Sequence, residues 1–189
     1  MLNSLFYQYH RLCHFIMAKP IDILHSPFVF QLYQNSAALD KKAQFEPSYL
    51  SNTKQYGLSN AKALASVLST LNAKEIFILK QINQKWILEE WQSKCQSPFE
   101  KMNLPFQIDA LLIDESIDLY SLPLAELKNC LQATQAIIVN QPHSNKKTSI
   151  QWQSLCKRAE VQVSIDFFEF GLCFFNRKQA KEHFKLRLW

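Results

Sequence analysis

Few side chains in this sequence have the type and spacing to do chemistry. His143 closes the segment Asn140-Gln141-Pro142-His143, directly after an apolar run. An imidazole titrates near neutrality, so His143 is a candidate general base; a loop histidine bonded to backbone is the plainer reading. Asp114 and Glu115 end another apolar run. Adjacent residues at a strand end point different ways, so they read as an exposed acid or a cap rather than as paired carboxylates. His10 and His14 are four apart on one helical face, a ligand spacing for a metal, but neither a glutamate nor a third ligand accompanies them. No Ser-His-Asp or Cys-His arrangement stands out. The five cysteines, Cys13, Cys95, Cys130, Cys156 and Cys173, contain no CxxC pair. Their odd count and scatter imply reduced thiols of a cytoplasmic protein, mostly acting as small buried apolar residues.

Glycine is scarce: only Gly57 and Gly171 occur. Backbone that wraps phosphate or nucleotide normally needs glycine for close approach or positive φ, so the composition argues against such a loop. The net charge of +5 is mild, and its basic residues are scattered. This describes a solvated basic surface better than a nucleic-acid footprint, which needs a denser stripe. The aromatic segment Phe167 to Phe175 reads as packing rather than base stacking. No run is long or apolar enough to span a membrane.

The elements that would position these residues follow from periodicity. Residues 2–17 carry Leu2, Leu5, Phe6, Tyr9, Leu12, Cys13 and Ile16 at helical spacing, which predicts an amphipathic helix facing the core or a dimer interface. Ser26 can cap a second helix with Pro27 at its first position, running to about Ala38. Residues 40–55 are polar and read as a loop. Helices are expected over 59–71, 83–94, 122–133 and 148–158. Ile76–Leu79, Ala110–Ile113 and Ala136–Val139 are continuous apolar runs, the pattern of strands buried on both faces. Val161–Ile165 and Leu172–Phe175 follow as strands, with Gly171 between them suggesting a hairpin. The sum is an α/β fold with a mostly parallel sheet and a C-terminal antiparallel hairpin. An N-terminal helical segment (1–55) precedes one compact α/β unit (56–189).

Three places carry a resemblance. They are His25-Ser-Pro-Phe-Val-Phe30 after a Tyr-containing helix; Tyr56-Gly57 before a Leu/Ala-rich helix; and Ile165-Asp-Phe-Phe168, Gly171-Leu-Cys-Phe-Phe175 and Gln179-Ala-Lys-Glu-His-Phe184 with Leu186-Arg187. Together they resemble a class I S-adenosylmethionine-dependent methyltransferase-like family of Bacteroidetes-type bacteria, in a shortened and degenerate form. The resemblance implies a Rossmann-like sheet with cofactor chemistry at the carboxyl ends of the strands. There the sequence departs from the pattern. Aligning Ile76–Leu79 with the family's first strand puts Ile78 at its acidic position. Lys80 and Gln84 then fall at the two glycines of the cofactor turn, where their side chains would occupy cofactor space. The next strand, whose terminal acid holds the ribose, is not found, so the sheet is expected to be reduced in strand number. Asp114 matches an acid of the pattern, while an expected Asp-Asp-x-His reads Asn140-Gln141-Pro142-His143.

Loss at three separate elements implies a methyltransferase-like domain without S-adenosylmethionine binding or catalysis, acting as a binding or structural module. A homodimer or a protein partner is the expected association, with no membrane and no nucleic acid. The alternative is an active S-adenosylmethionine-dependent methyltransferase with an atypical cofactor site, in which Asp114 and His143 carry the reaction.

Overall fold

A computed structural model of the chain describes residues 2–45, 47–55, 60–82, 85–90, 96–98, 108–113, 117–122, 124, 131–175 and 180–189. Among the described residues the α-helices are α1 (Leu2–Met17), α2 (Pro27–Lys42), α3 (Pro47–Gln55), α4 (Ala61–Thr70) and α5 (Lys146–Lys157). The strands are β1 (Ile76–Ile82), β2 (Lys85–Glu90), β3 (Gln96–Pro98), β4 (Ile108–Ile113), β5 (Leu131–Asn140), β6 (Val163–Asp166), β7 (Phe170–Phe174) and β8 (Glu182–Lys185). They form one mixed sheet of eight strands in the order β3-β2-β1-β4-β5-β7-β6-β8.

The centre of the sheet is parallel: β1 pairs with β4, and β4 with β5. Their apolar residues alternate between two cores because successive strand side chains point to opposite faces. Ile76, Ile78, Ala110, Leu112, Ala136 and Ile138 face α2, α3 and α4. Phe77, Leu79, Leu111, Ile113, Ile137 and Val139 face α5 and Ile117, Leu119, Leu122 and Leu124. The result is a helix–sheet–helix sandwich, which explains why these strands are apolar throughout. Ser26 caps α2 by accepting from the Val29 N–H, with Pro27 in the first turn. Asn145 and Thr148 form a reciprocal capping box on α5.

Several expectations need correction. The helix expected over 83–94 is strand β2 over its described part; Ile82 pairs with Lys85, so β1 returns antiparallel on itself. A two-residue separation suits a tight hairpin, and the Trp86-Ile87-Leu88 run suits a strand. With β2, β3 and β8 present, the sheet is not reduced in strand number, and antiparallel pairs flank its parallel centre on both sides. Residues 47–55 are helix α3 rather than loop, with Tyr49 buried and its hydroxyl donating to the Ala73 carbonyl. Residues 131–133, expected to end a helix, begin the ten-residue β5.

Helix α1 does not pack its apolar stripe into the core, the first of the two orientations its pattern allows. Leu5, Tyr9, Leu12 and Ile16 are 59–70% exposed. The face toward the protein is the polar one, carrying Tyr7, His10 and His14. A cation–π contact of Arg187 with Phe15 at 3.8 Å, and two Arg187 hydrogen bonds to the Phe15 carbonyl, tie the end of α1 to the C-terminal segment.

Gly171 is not a turn residue. It lies within β7, paired with Val139 and Asp166, and a Cβ there would stand 2.4 Å from the Trp152 ring. The glycine is required because the indole lies flat against the strand. Gly171→Ala is expected to lower stability by about 1–3 kcal/mol through overpacking. Urea unfolding followed by circular dichroism measures this; an unchanged midpoint would show that Trp152 moves aside freely.

Candidate functional site

The one cluster of buried titratable groups lying at the carboxyl ends of the strands, among the described residues, centres on Asp166. This residue ends β6 and is 1% exposed. A carboxylate has no donors of its own when ionised, so burial demands donors from its surroundings. Four arrive from four different elements. His143 Nε2, from the segment after β5, stands 2.8 Å from Oδ2. The Trp152 indole N–H on α5 donates to the same oxygen at 3.1 Å. The Phe168 backbone N–H donates to Oδ1 at 2.9 Å. His14 Nε2 on α1 lies 3.3 Å from Oδ1 and 3.0 Å from the Asp166 carbonyl oxygen.

Burial alone would raise the Asp166 carboxyl. Hydrogen bonding and electrostatic attraction from His14 and His143 outweigh it and hold the group well below the usual carboxylate range. Both histidines therefore present Nε2–H to an ionised oxygen. The other ring nitrogen of His143 is also engaged, 3.1 Å from the Ser149 hydroxyl.

Local backbone makes this convergence possible. Phe168 sits in the β6–β7 connection with φ of 70°, an uncommon conformation for a residue with a Cβ. That conformation points its N–H at Asp166 and lays its ring on His143, with centroids 5.1 Å apart and planes 10° apart. Gln141, with φ of 42°, turns the chain after β5 and donates its N–H to the Glu169 carbonyl, bringing His143 over the sheet edge. Glu169 in turn accepts from the Tyr7 hydroxyl at 3.1 Å, a second link from α1. Partial burial and the charges of His143 and Lys185 lower the His10 imidazole, whose ring stacks 6.4 Å from that of His143.

Ser149, His143 and Asp166 thus form a Ser-His-Asp chain of hydrogen bonds that the sequence did not reveal. It is not arranged for attack on a substrate. Ser149 is 2% exposed, and His143 spends Nε2 on the acid and Nδ1 on the serine. The site acts as a buried electrostatic clasp joining α1, α5, the segment after β5 and the β6–β7 connection. Asp166 itself was missed as a site residue. A lone acid in the apolar run Val163 to Phe168 was the available signal, since such an acid must be partnered.

The other candidates fall as follows. Ile78 is buried in the core under α2–α4. Lys80 lies inside β1 rather than in a turn and pairs with Glu89 of β2 at 2.7 Å. Gln84, Asp114 and Glu115 lie outside the described residues. His10 and His14 do not converge on a ligand position: His14 is committed to Asp166, and among the described residues no group of three or more His, Cys, Asp or Glu could hold a metal ion. Asn140 and Gln141 line, with Ile113, Pro142, Thr148 and Gln151, a cavity of about 140 Å³ at the ends of β4 and β5. A second cavity of about 250 Å³ lies between α1 and the C-terminal segment, beside Arg11, His14, Phe168, Glu169 and Arg187. Among the described residues no helix is long and apolar enough to cross a membrane.

No family model matches this sequence, and no curated protein and no solved structure matches it either.

Asp166→Asn is expected to destabilise the fold by about 3–5 kcal/mol, the cost of breaking a buried ion pair from one side. A loss below about 1 kcal/mol in urea unfolding, the range of exposed pairs, would contradict a stabilising clasp. The effect should also depend on pH. Because the folded-state carboxyl is held low, its contribution is fully present above the unfolded value near about pH 4 and is lost as pH falls below it. The gap between wild type and variant should therefore narrow between about pH 4 and pH 2; a gap that widens on acidification would reverse the sign.

Proposed function

We propose that the chain is a methyltransferase-like scaffold that has lost S-adenosylmethionine binding and catalysis and serves as a binding or structural module. The observation that carries this reading is the course of the chain after the first strand. In doubly wound α/β folds, anionic ligand groups are held where a strand leads into the N-terminus of a helix. Here β1 runs on through Ile82 and returns as β2, so no helix N-terminus follows it. Lys80, at a position the family gives to glycine, is a strand residue paired with Glu89.

Two further features support the same reading. The strand order with β7 inserted antiparallel between β5 and β6 agrees with the C-terminal hairpin that the resemblance implies. At the carboxyl ends of β4 and β5 the cavity of about 140 Å³ is well below the ~300 Å³ at which ligand pockets usually begin. The alternative, an active enzyme using His143, would require that imidazole to leave both Asp166 and Ser149. The exposed stripe Leu5, Tyr9, Leu12 and Ile16 on α1 is the surface a module would offer to a second copy or a protein partner.

Titration calorimetry with S-adenosylmethionine and S-adenosylhomocysteine tests the loss of cofactor binding. The expected result is no heat of binding at millimolar ligand. Micromolar affinity for either compound would overturn the proposal and restore the enzymatic alternative.

A further inference from the structure

A second cluster of reactive side chains lies away from the Asp166 clasp, where α5 crosses the β7-β6-β8 edge of the sheet. Strand register builds it. Ser164 of β6 pairs with Cys173 of β7 on one side and with His183 of β8 on the other. Residues paired across neighbouring strands share a face, so Cys173, Ser164 and His183 form a row across three strands. Cys173 faces the α5 core, where Cys156, in the last turn of α5, belongs to the same cluster. Cys156 packs in the same core cluster as Cys173 and shares a cavity wall with His183. Ser164 Oγ also lies 2.7 Å from His183 Nδ1 and so fixes the imidazole ring.

The His183 end of the row opens onto a cavity of about 610 Å³, within the range of small-ligand sites. Cys156 and His183 line it, together with Lys157, Lys181 and Lys185 and a single acid, Glu182. Lys181, His183 and Lys185 alternate along the β8 edge, which places them on one side. The end of a helix normally disfavours an anion, because its last carbonyls are unpaired. Here the Lys181 ammonium donates to the carbonyls of Lys157 and Arg158, at 2.9 and 2.5 Å, and offsets them.

We propose that Cys156 is a reactive thiol whose site takes small disulfides bearing carboxylate groups. The Cys156 thiolate attacks one sulfur of the disulfide. A new S–S bond forms between Cys156 and that sulfur, the original S–S bond breaks, and the departing thiolate leaves carrying the electron pair. Exchange consumes no other oxidant. His183 and the Cys173 thiol stabilise the attacking thiolate, and the lysines hold the carboxylates of the incoming molecule. Consistent with this arrangement, hydrogen bonding from Cys173, opposed by burial and aided by His183 and Ser164, brings the Cys156 thiol down to about 6. The fully buried Cys173 is pushed up by desolvation and by its neighbour, and remains the protonated donor of the pair.

The test uses the full chain with two aromatic disulfides, the dianionic dithiobis-nitrobenzoate and the uncharged dithiodipyridine, at pH 5.5. A low thiol pKa is a larger advantage at acidic pH, where ordinary cysteines are almost wholly protonated, although the more acidic thiolate is the weaker nucleophile. The expected rate for the dianion is about tenfold or more above that of a free cysteine peptide, with the label mapped to Cys156 by mass spectrometry. Cys156→Ser should abolish this phase, and His183→Gln should slow it with both reagents. The double change Lys157→Gln and Lys185→Gln should slow the dianion several-fold while leaving the uncharged reagent unaffected, which separates charge recognition from loss of fold. Labelling that falls first on another cysteine, or a Cys156 rate no greater than that of the peptide, would overturn the proposal. Equal slowing of both reagents by the double change would overturn its preference for anions.

Discussion

A buried carboxylate is among the most demanding groups a fold can contain, because removing it from water costs several kcal/mol unless donors replace its hydration. Asp166 meets that demand with four donors drawn from four separate elements. Each donor imposes a condition elsewhere. The Trp152 indole reaches the carboxylate only by lying against β7, which leaves room for nothing larger than Gly171. The Phe168 N–H points inward only at a positive φ, a strain compensated by its ring stacking on His143. His143 is delivered by a turn at Gln141, again with positive φ, that is bonded to the Glu169 carbonyl. His14 brings α1 against the sheet edge by its polar face. A single charge thereby fixes the placement of α1, the β6–β7 connection and the first half of α5.

What could be read from the sequence followed a clear physical boundary. The three parallel strands were legible because burial on both faces leaves an unbroken apolar run, and no polar choice competes with it. The cap at Ser26 was legible because capping is local chemistry. The hairpin of β1 and β2 was not. Lys85 to Glu90 combines residues that favour a helix with residues that favour a strand, and the decision falls to pairing with β1. Helix α3 was missed for a related reason: its polar sequence gives little helical pattern, and its stability comes from Tyr49 reaching across to Ala73. The orientation of α1 was not legible because its amphipathic pattern suits core packing and a dimer interface alike, and the long-range contact of His14 with Asp166, invisible to periodicity, decides which face turns inward.

The candidate site was less legible than the fold. His143 stood out from its residue type and position, but its partners, Asp166, Ser149, Trp152 and His14, lie up to 152 residues apart in pairwise contact. No spacing rule connects them. The positions that the resemblance gives to a cofactor fall near the end of β1, where the chain instead turns back on itself. The scaffold and its sheet order are what the proposed ancestry would leave behind. The polar clasp at the neighbouring strand ends ties α1, α5 and the β6–β7 connection to one carboxylate.

The same clasp bears on when the molecule can be completed. His14 meets Asp166, Lys19 bridges Leu186, and the Phe15 carbonyl meets Arg187, so α1 is stitched to segments about 150 residues or more further along the chain. Vectorial synthesis delivers α1 well before its partners. The helix must therefore wait, with both its apolar stripe and its histidines uncovered, until β6, β7 and β8 emerge. Such non-local closure slows folding, and it gives the nascent chain a long interval in which chaperones or a neighbouring chain can engage α1.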